Sequence, residues 1–188
     1  MTNESTPWPR KGEQLFKSDI DWMNNACLCY GENLYAAGYK QAADLLVKYV
    51  LEKHIDQDTL VYPIVFLYRH YIELQLKEII SLGKGLDLDI KVEKDHELKS
   101  LWLESRQIIA EVWPEDSNND IKAVQEIIHQ FSACDPGSTA FRYPTTKKGK
   151  PSLTDLEQIN LRNLGDIMAG IGSFFDGTIN GISAYIQL

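Results

Sequence analysis

The chain lacks the motifs of several common catalytic and nucleotide-binding families. Its 188 residues contain no GxxxxGK[ST] phosphate loop, no GxGxxG in strand context, no GxSxG and no HExxH. Each of these motifs fixes particular groups at the geometry that its chemistry needs. Their absence argues against P-loop nucleotide hydrolysis, dinucleotide-dependent redox chemistry, α/β-hydrolase chemistry and zinc proteolysis. We expect no cofactor and no metal ion.

Cysteine is scarce as well. Cys27, Cys29 and Cys134 form no CxxC pair and no Cys/His metal pattern, and an odd number of cysteines without a secretory segment is typical of reduced thiols. Residues 1–17 carry no apolar signal-peptide core, and no apolar run approaches the ~20 residues that span a bilayer. We therefore expect a cytoplasmic protein with no membrane association.

Excess positive charge is also missing. The formal net charge is -8, which argues against a protein that simply coats nucleic acid, because such binding depends on many Lys and Arg contacts to phosphate. A local basic site remains compatible with this charge. The one concentrated positive patch begins with Arg142 of FRYP and continues with Lys147, Lys148 and Lys150.

The apolar spacing predicts an all-α protein, a helical bundle of about five helices with one extended arm or hairpin between the last two. Residues 1–17 are expected to form an N-terminal arm or a disordered tail, and residues 18–188 a single domain. We predict helices from about Ser18 to Lys53 with an interruption near Gly31, and then Thr59–Leu82, His96–Trp113, Ile121–Ala133 and Asp155–Ile186. Pro63 is expected in the first turn of the second helix.

The last predicted helix carries a stripe of small residues that includes Gly165, Ala169, Gly172 and Gly177. Glycine costs about 1 kcal/mol in a helix interior, so its repetition favours close packing against another helix. That helix could belong to the same chain or to a second copy, which gives a first indication of a homodimer.

The strongest functional candidate is the helix YPIVFLYRHYIELQLKEII, which carries Arg69, His70, Glu73 and Lys77 among core-type residues. Their spacing places them within reach of one another on one helical face. Polar groups against a core cost free energy unless they are paired or used. Two interpretations stay open. The cluster could bind phosphate or move a proton, or it could be a buried ion pair that ties helices together.

Two further segments carry candidate residues. His96 begins the predicted third helix in KDHELKSLW, where it could complete a site with His70 or simply occupy a capping region. The segment DPGSTAFRYP contains Asp135, Arg142 and Tyr143. Its arginine lies between two aromatic residues that could pin the arm and aim the guanidinium inward. Alternatively, Arg142 could pair with Asp135 or Glu73 and the lysines could be solvated.

The order of these segments resembles the HEPN superfamily of helical ribonucleases and nucleotide-binding proteins in toxin–antitoxin and antiviral systems. The segments are NLYAAGYKQAADLL, the RHxxEL signature, HxLxxLW, FRYP and INLRNL. More narrowly, the chain is similar to stand-alone bacterial HEPN-like proteins. The resemblance implies a homodimer and a role in defence, such as phage defence, or in stress biology.

The chain departs from HEPN ribonucleases at their Arg-x4-6-His pair, since no arginine here has a histidine at that spacing. The catalytic pair therefore cannot be carried over. The leading hypothesis is an RNA- or nucleotide-binding protein, with a divergent metal-independent RNase as its catalytic form. In that form His70 is the general acid or base, Arg69 and Arg142 stabilise phosphate, and Glu73 orients His70.

His96 completes the predicted catalytic set, and Arg142, Tyr143, Lys77 and Asp135 are the predicted binding residues. Two alternatives stay open. One is a non-catalytic protein-interaction module in which the Arg-His-Glu cluster is structural. The other is a small-molecule sensor that uses a pocket beneath the FRYP arm.

Overall fold

The computed structural model of the protein describes residues 8–9, 11–28, 31–86, 96–114 and 119–187. The chain divides into two compact units, residues 1–30 and residues 31–188. The described part contains five α-helices: α1 (Glu32–Lys53), α2 (Gln57–Gly83), α3 (Leu98–Val112), α4 (Asn119–Cys134) and α5 (Leu161–Ile186). Short 3-10 turns span Trp22–Asn24 and Lys84–Leu86. The predicted all-helical bundle is confirmed.

Helix α2 is the centre of the second unit. It packs against α1, α3 and α5, while α4 packs against α3 and α1 against α5. This position explains why α2 is apolar around most of its circumference, since a helix covered on several sides buries nearly every face. Helices α3 and α4 each bury one stripe instead. The α3 stripe includes Leu98, Leu101 and Ile108, and the α4 stripe includes Ile121 and Ile128.

The predicted start of the first helix near Ser18 is wrong, because α1 begins at Glu32. Side chains in residues 19–25 bind the nearby backbone instead. Asn25 Oδ1 accepts from the Asp19 amide at 2.7 Å, and Asp21 Oδ1 accepts from the Met23 amide at 3.1 Å. Such local bonds compete with helical hydrogen bonds. Residues 1–7 and 10 of the predicted N-terminal arm lie outside the described residues.

Two other predictions about helix ends need correction. The last helix begins at Leu161 rather than Asp155, because the Asn160 side chain caps it by accepting from the Asn163 amide at 3.0 Å. Pro63 lies in the interior of α2, which begins at Gln57, and not in its first turn. The remaining helix bounds of α2, α3 and α4 agree with the sequence prediction to within two residues, the ordinary uncertainty of a helix end.

The segment between α4 and α5 contains the predicted hairpin. Thr145 and Pro151 form an antiparallel bridge, and the Thr146 amide donates to the Lys150 carbonyl at 2.7 Å. Gly149 has φ +75° at the tip, a conformation that favours glycine. The turn presents Lys147, Lys148 and Lys150 to solvent.

The small residues of α5 divide into two groups. Close packing within the chain accounts for some: a Cβ added at Gly165 would lie 3.2 Å from Val47, and one at Gly181 would lie 2.5 Å from the Trp113 ring. Other positions are exposed, and a Cβ added at Gly170 or Gly177 would meet nothing within 4 Å. The predicted close approach is therefore present within the chain at the first group only, and the homodimer stays a prediction.

No helix in the described ranges combines the length and apolar character needed to cross a bilayer.

Candidate functional site

The residues singled out on α2 are divided between a buried network and a surface. The network, which we call the buried network, is centred on the buried side chains of Arg69, Glu73 and Asp135. The partly exposed Lys77 and the exposed His96 complete it at its edge. The surface, which we call the aromatic–arginine surface, consists of Tyr39, Phe66, His70, Arg142 and Tyr143. Arg69 and His70 are adjacent in sequence but contact different residues: Arg69 belongs to the buried network and His70 to the aromatic–arginine surface.

Arg69 is the centre of the buried network and is 0% exposed. Its Nη1 donates to Glu73 Oε2 at 3.1 Å, and its Nε donates to the Asp135 carbonyl at 3.0 Å. Its Nη2 donates to the carbonyls of His96 at 2.9 Å and Pro136 at 3.3 Å. One guanidinium therefore joins α2 to the start of α3 and to the turn after α4. A substrate phosphate has no access to it.

Glu73 is 1% exposed and is surrounded by positively charged or hydrogen-donating groups. Besides Arg69, its Oε1 lies 2.7 Å from Lys77 Nζ and 2.7 Å from His96 Nδ1. Burial works to raise the pKa of Glu73, but the hydrogen bonds from Lys77 and His96 outweigh burial and lower that pKa. Glu73 is therefore an ionised carboxylate that holds the side chains of α2 and the beginning of α3 together.

Asp135 organises the turn that precedes FRYP. It is 1% exposed, and its Oδ1 accepts from the amides of Thr139 at 2.7 Å and Ala140 at 3.0 Å. Its Oδ2 lies 3.8 Å from Arg69 Nε and has no hydrogen-bond partner among the described residues. Asp135, which the sequence suggested as a binding residue, thus lies in the buried network and fixes the local backbone.

His70 belongs to the aromatic–arginine surface. Its ring makes an edge contact with Tyr39 of α1, with centroids 4.4 Å apart, and stacks parallel to Phe66, with centroids 5.8 Å apart. Burial lowers the pKa of His70; Glu73 raises it, whereas Lys77, Arg69 and His96 lower it further. The neutral imidazole therefore predominates at pH 7.

Arg142 extends this surface on the loop side. Its guanidinium carbon lies 5.4 Å from the Phe66 ring centroid and 5.6 Å from the Tyr143 ring centroid. Nε donates to the Ser138 carbonyl at 2.5 Å. The arginine is exposed as a whole, while its guanidinium lies against the Phe66 ring of α2. No described residue forms an ion pair with it, and the suggested pairing with Asp135 or Glu73 is absent from the described residues.

A groove of about 510 Å³ adjoins Arg142 and Tyr143. Tyr62, Pro144 and Pro151 form further parts of its wall. The basic turn at Lys147, Lys148 and Lys150 continues from the same loop. Planar rings, a guanidinium and ammonium groups are thus contributed by one loop and two helices, α1 and α2.

Sequence inspection missed Phe66 and Tyr39 as parts of the aromatic–arginine surface, and Tyr62 as part of the adjoining groove. Tyr62, Phe66 and His70 are four residues apart along α2, so their common helical face could have been found from spacing. Tyr39 lies on α1, and only the packing of the two helices brings it to His70. No group of three or more His, Cys, Asp or Glu in the described ranges is arranged to hold a metal ion.

Comparisons with family profiles, with curated proteins and with solved structures found no match. The resemblance to the HEPN superfamily therefore stays a prediction.

Proposed function

We propose that this protein binds single-stranded RNA, or a nucleotide, on the aromatic–arginine surface. The observation that carries the proposal is the Arg142 guanidinium, on an exposed residue, beside the rings of Phe66 and Tyr143. Single-stranded nucleic acid is bound by aromatic and guanidinium planes that stack on bases, together with basic groups that contact phosphate. Arg142 offers both a plane and a charge.

The surrounding charge agrees with this assignment. The chain has a net charge of -8, so phosphate contact needs a local basic region. Arg142 and the basic turn supply such a region next to the stacking rings. The buried network supports the surface indirectly, since Arg69 and Asp135 fix the backbone from which Arg142 extends.

The test is fluorescence anisotropy with a labelled single-stranded RNA oligonucleotide in EDTA. We expect Arg142→Ala to weaken binding about tenfold, because loss of one stacked base contact costs about 1–3 kcal/mol and 1.4 kcal/mol is a factor of ten. The matched control is Arg162→Ala, which removes an exposed arginine from α5. Equal weakening by both variants, or no binding by the wild type at physiological salt, would contradict the proposal and favour a protein-interaction module.

A second candidate function is metal-independent cleavage of the bound RNA. His70 is neutral at pH 7 and lies beside the proposed base-binding surface, so it can accept a proton from a ribose 2′-hydroxyl. The 2′-oxygen then attacks the adjacent phosphorus, the bond from phosphorus to the 5′-oxygen breaks, and the leaving oxygen takes a proton from an acid. Arg142 would neutralise charge on the phosphate, and His96, held by Glu73, would be the acid.

Cleavage is measured on labelled single-stranded RNA in EDTA, with a His70→Gln variant whose fold is checked by circular dichroism. We expect the wild type to give products ending in a cyclic phosphate, and the variant to bind RNA without cleaving it. If neither protein cleaves while both bind, the protein is an RNA-binding protein and not a nuclease. A role in bacterial defence or stress, such as a toxin–antitoxin system, belongs with this proposal and rests on the HEPN resemblance.

A further inference from the structure

A second cleft lies between α1, α2 and α5 and shares no residue with the aromatic–arginine surface. Its volume is about 400 Å³, within the range of small-molecule sites. Helix α2 contributes Tyr71 and Gln75, α1 contributes Lys40 and Asp44, and α5 contributes Asp176. The RNA proposal makes no use of this cleft.

Gln75 is an unusual residue for the floor of this cleft. It is 6% exposed, and its Oε1 is shielded from solvent without a hydrogen-bond partner among the described residues. A buried amide oxygen that lacks a donor costs about 1–3 kcal/mol. Gln75 is part of the cleft lining, and a leucine would fill the same space without that cost. A ligand that brings a hydrogen-bond donor into the cleft would supply the missing partner.

The charged groups of the cleft favour a positively charged ligand. Its lining includes the carboxylates of Asp44, Glu78 and Asp176 and one ammonium group, that of Lys40. Asp44 is already engaged by Lys40 at 2.8 Å and by the Tyr68 hydroxyl at 2.7 Å. Asp176 forms no ion pair with any described residue. An anionic ligand would meet net repulsion here.

The raised pKa of Tyr71 agrees with a negatively charged cleft. Tyr71 is 2% exposed on the cleft floor, one turn before Gln75. Burial raises the pKa of its hydroxyl most, and Asp176, Asp44 and Glu78 raise that pKa further. The same negative potential that opposes tyrosinate would attract a cation.

The arrangement of acceptors distinguishes an organic cation from a metal ion. The described residues contain no three His, Cys, Asp or Glu side chains close enough to hold one metal. The acceptors are instead distributed along the cleft, with the apolar side chains of Ala37 and Ile179 also in its lining. Ammonium groups joined by methylenes match this alternation, because methylenes can cover the apolar side chains while each ammonium reaches an oxygen.

We propose that the cleft between α1, α2 and α5 binds a small aliphatic polyammonium ion, with Asp176 and the Gln75 amide as principal acceptors. The probe is 1,4-diaminobutane, titrated into the full chain by isothermal calorimetry. Butylamine, which has one ammonium group, and magnesium chloride at equal charge serve as comparison ligands. We expect saturable binding of the diamine, at least tenfold tighter than that of butylamine.

Three variants test the assignment. Asp176→Asn keeps the shape of an exposed side chain and should weaken diamine binding about tenfold, the effect of losing one charge-assisted hydrogen bond. Gln75→Leu should weaken diamine binding while leaving the urea midpoint unchanged or higher, because it removes an unpartnered buried oxygen. Glu126→Gln, an exposed charge on α4, is the control and should leave binding unchanged.

Several results would overturn the proposal. An equal loss of diamine affinity in Asp176→Asn and Glu126→Gln would mean that the diamine is attracted to the acidic protein as a whole and not to this cleft. Displacement of the diamine by magnesium at equal charge, or affinity for butylamine equal to that for the diamine, would remove the polyammonium specificity. Unchanged diamine affinity in Gln75→Leu would remove the amide from the site. RNA binding by the Asp176→Asn variant should be unchanged, which separates this test from that of the proposed function.

Discussion

Replacing Arg69 with methionine is the most direct test of the buried network. Methionine is similar in length and flexible enough to occupy the same channel, so the change removes the guanidinium without leaving a large void. Glu73 then loses one of its partners, and the carbonyls of His96, Asp135 and Pro136 lose their donor. Arg69 itself is completely covered by the protein, so water does not replace its hydrogen bonds without a change in packing.

The expected loss in the free energy of unfolding is about 3–5 kcal/mol. Removing one partner of a buried ion pair typically costs that amount, because the other charge stays buried. The freed carbonyls add to the cost unless water reaches them, at about 1–3 kcal/mol for each that stays dry. Glu73 keeps its contacts to Lys77 and His96 at 2.7 Å, and these offset part of the destabilisation caused by losing Arg69. Since a domain is stable by about 5–15 kcal/mol, the variant should be close to unfolding at 37 °C.

Urea unfolding followed by circular dichroism at 222 nm measures this loss, with the slope compared between proteins as a check on two-state behaviour. The control is Lys77→Met, which removes a second partner of Glu73 from the same helix. The Lys77 side chain is 37% exposed, so solvent screens its pair and we expect a loss of about 1 kcal/mol or less.

A free energy of unfolding within 1 kcal/mol of the wild type in Arg69→Met would refute the reasoning. If that stable variant also lost RNA binding, Arg69 would be a functional residue that becomes accessible in solution. The double variant Arg69→Met/Glu73→Gln should lose less than the sum of the two single changes, since it leaves no ionised carboxylate at this position.

Three further predictions concern other parts of the chain. In the same urea experiment, Asp135→Ala should lower the free energy of unfolding by about 1–3 kcal/mol, because two amides lose their acceptor. Asp135→Asn keeps an acceptor oxygen and should retain most of the wild-type stability. Gly181→Ala should destabilise by about 1–3 kcal/mol, since its Cβ would lie 2.5 Å from the Trp113 ring. Gly177→Ala should stabilise the protein by about 0.5–1 kcal/mol. If this variant is instead less stable, and light scattering shows a smaller mass for the assembly than in the wild type, Gly177 packs against a helix of a second copy. The lowered pKa of His70 means that the unfolded state binds its proton at higher pH, so stability should fall as pH drops from 7 to 5. His70→Phe should reduce this loss of stability between pH 7 and pH 5, and replacing the exposed His129 with Phe should not. An equal effect of the two variants would mean that His70 is not the group responsible.

Helix type and order followed from the sequence because apolar spacing and capping residues are local signals. The bounds of α2, α3 and α4 were predicted to within two residues. The starts of the first and last helices were not, because Asn25 and Asp21 bind the local backbone and Asn160 forms a cap. Asn and Asp side chains offer alternatives to helical hydrogen bonds, and the sequence shows only that these alternatives exist.

The candidate residues were also recognisable in the sequence. Which of them belong to the buried network and which to the aromatic–arginine surface was not. Arg69 and His70 are adjacent, and nothing in RHxxEL states which of them faces the interior. Packing of α3 and of the turn after α4 against α2 decided it, by covering Arg69 and leaving His70 between Tyr39 and Phe66. Lys77 and His96, predicted for binding and catalysis, both lie at Glu73.

The sequence by itself determined an all-helical chain whose central helix carries a charged cluster. It did so because periodicity and residue type act over one or two helical turns. Only the tertiary structure decided that Arg69 is shielded, that Arg142 is exposed beside aromatic rings, and that Gln75 lines an acidic cleft. Those properties depend on residues far apart in the chain, and contact between distant segments leaves no local pattern in a single sequence.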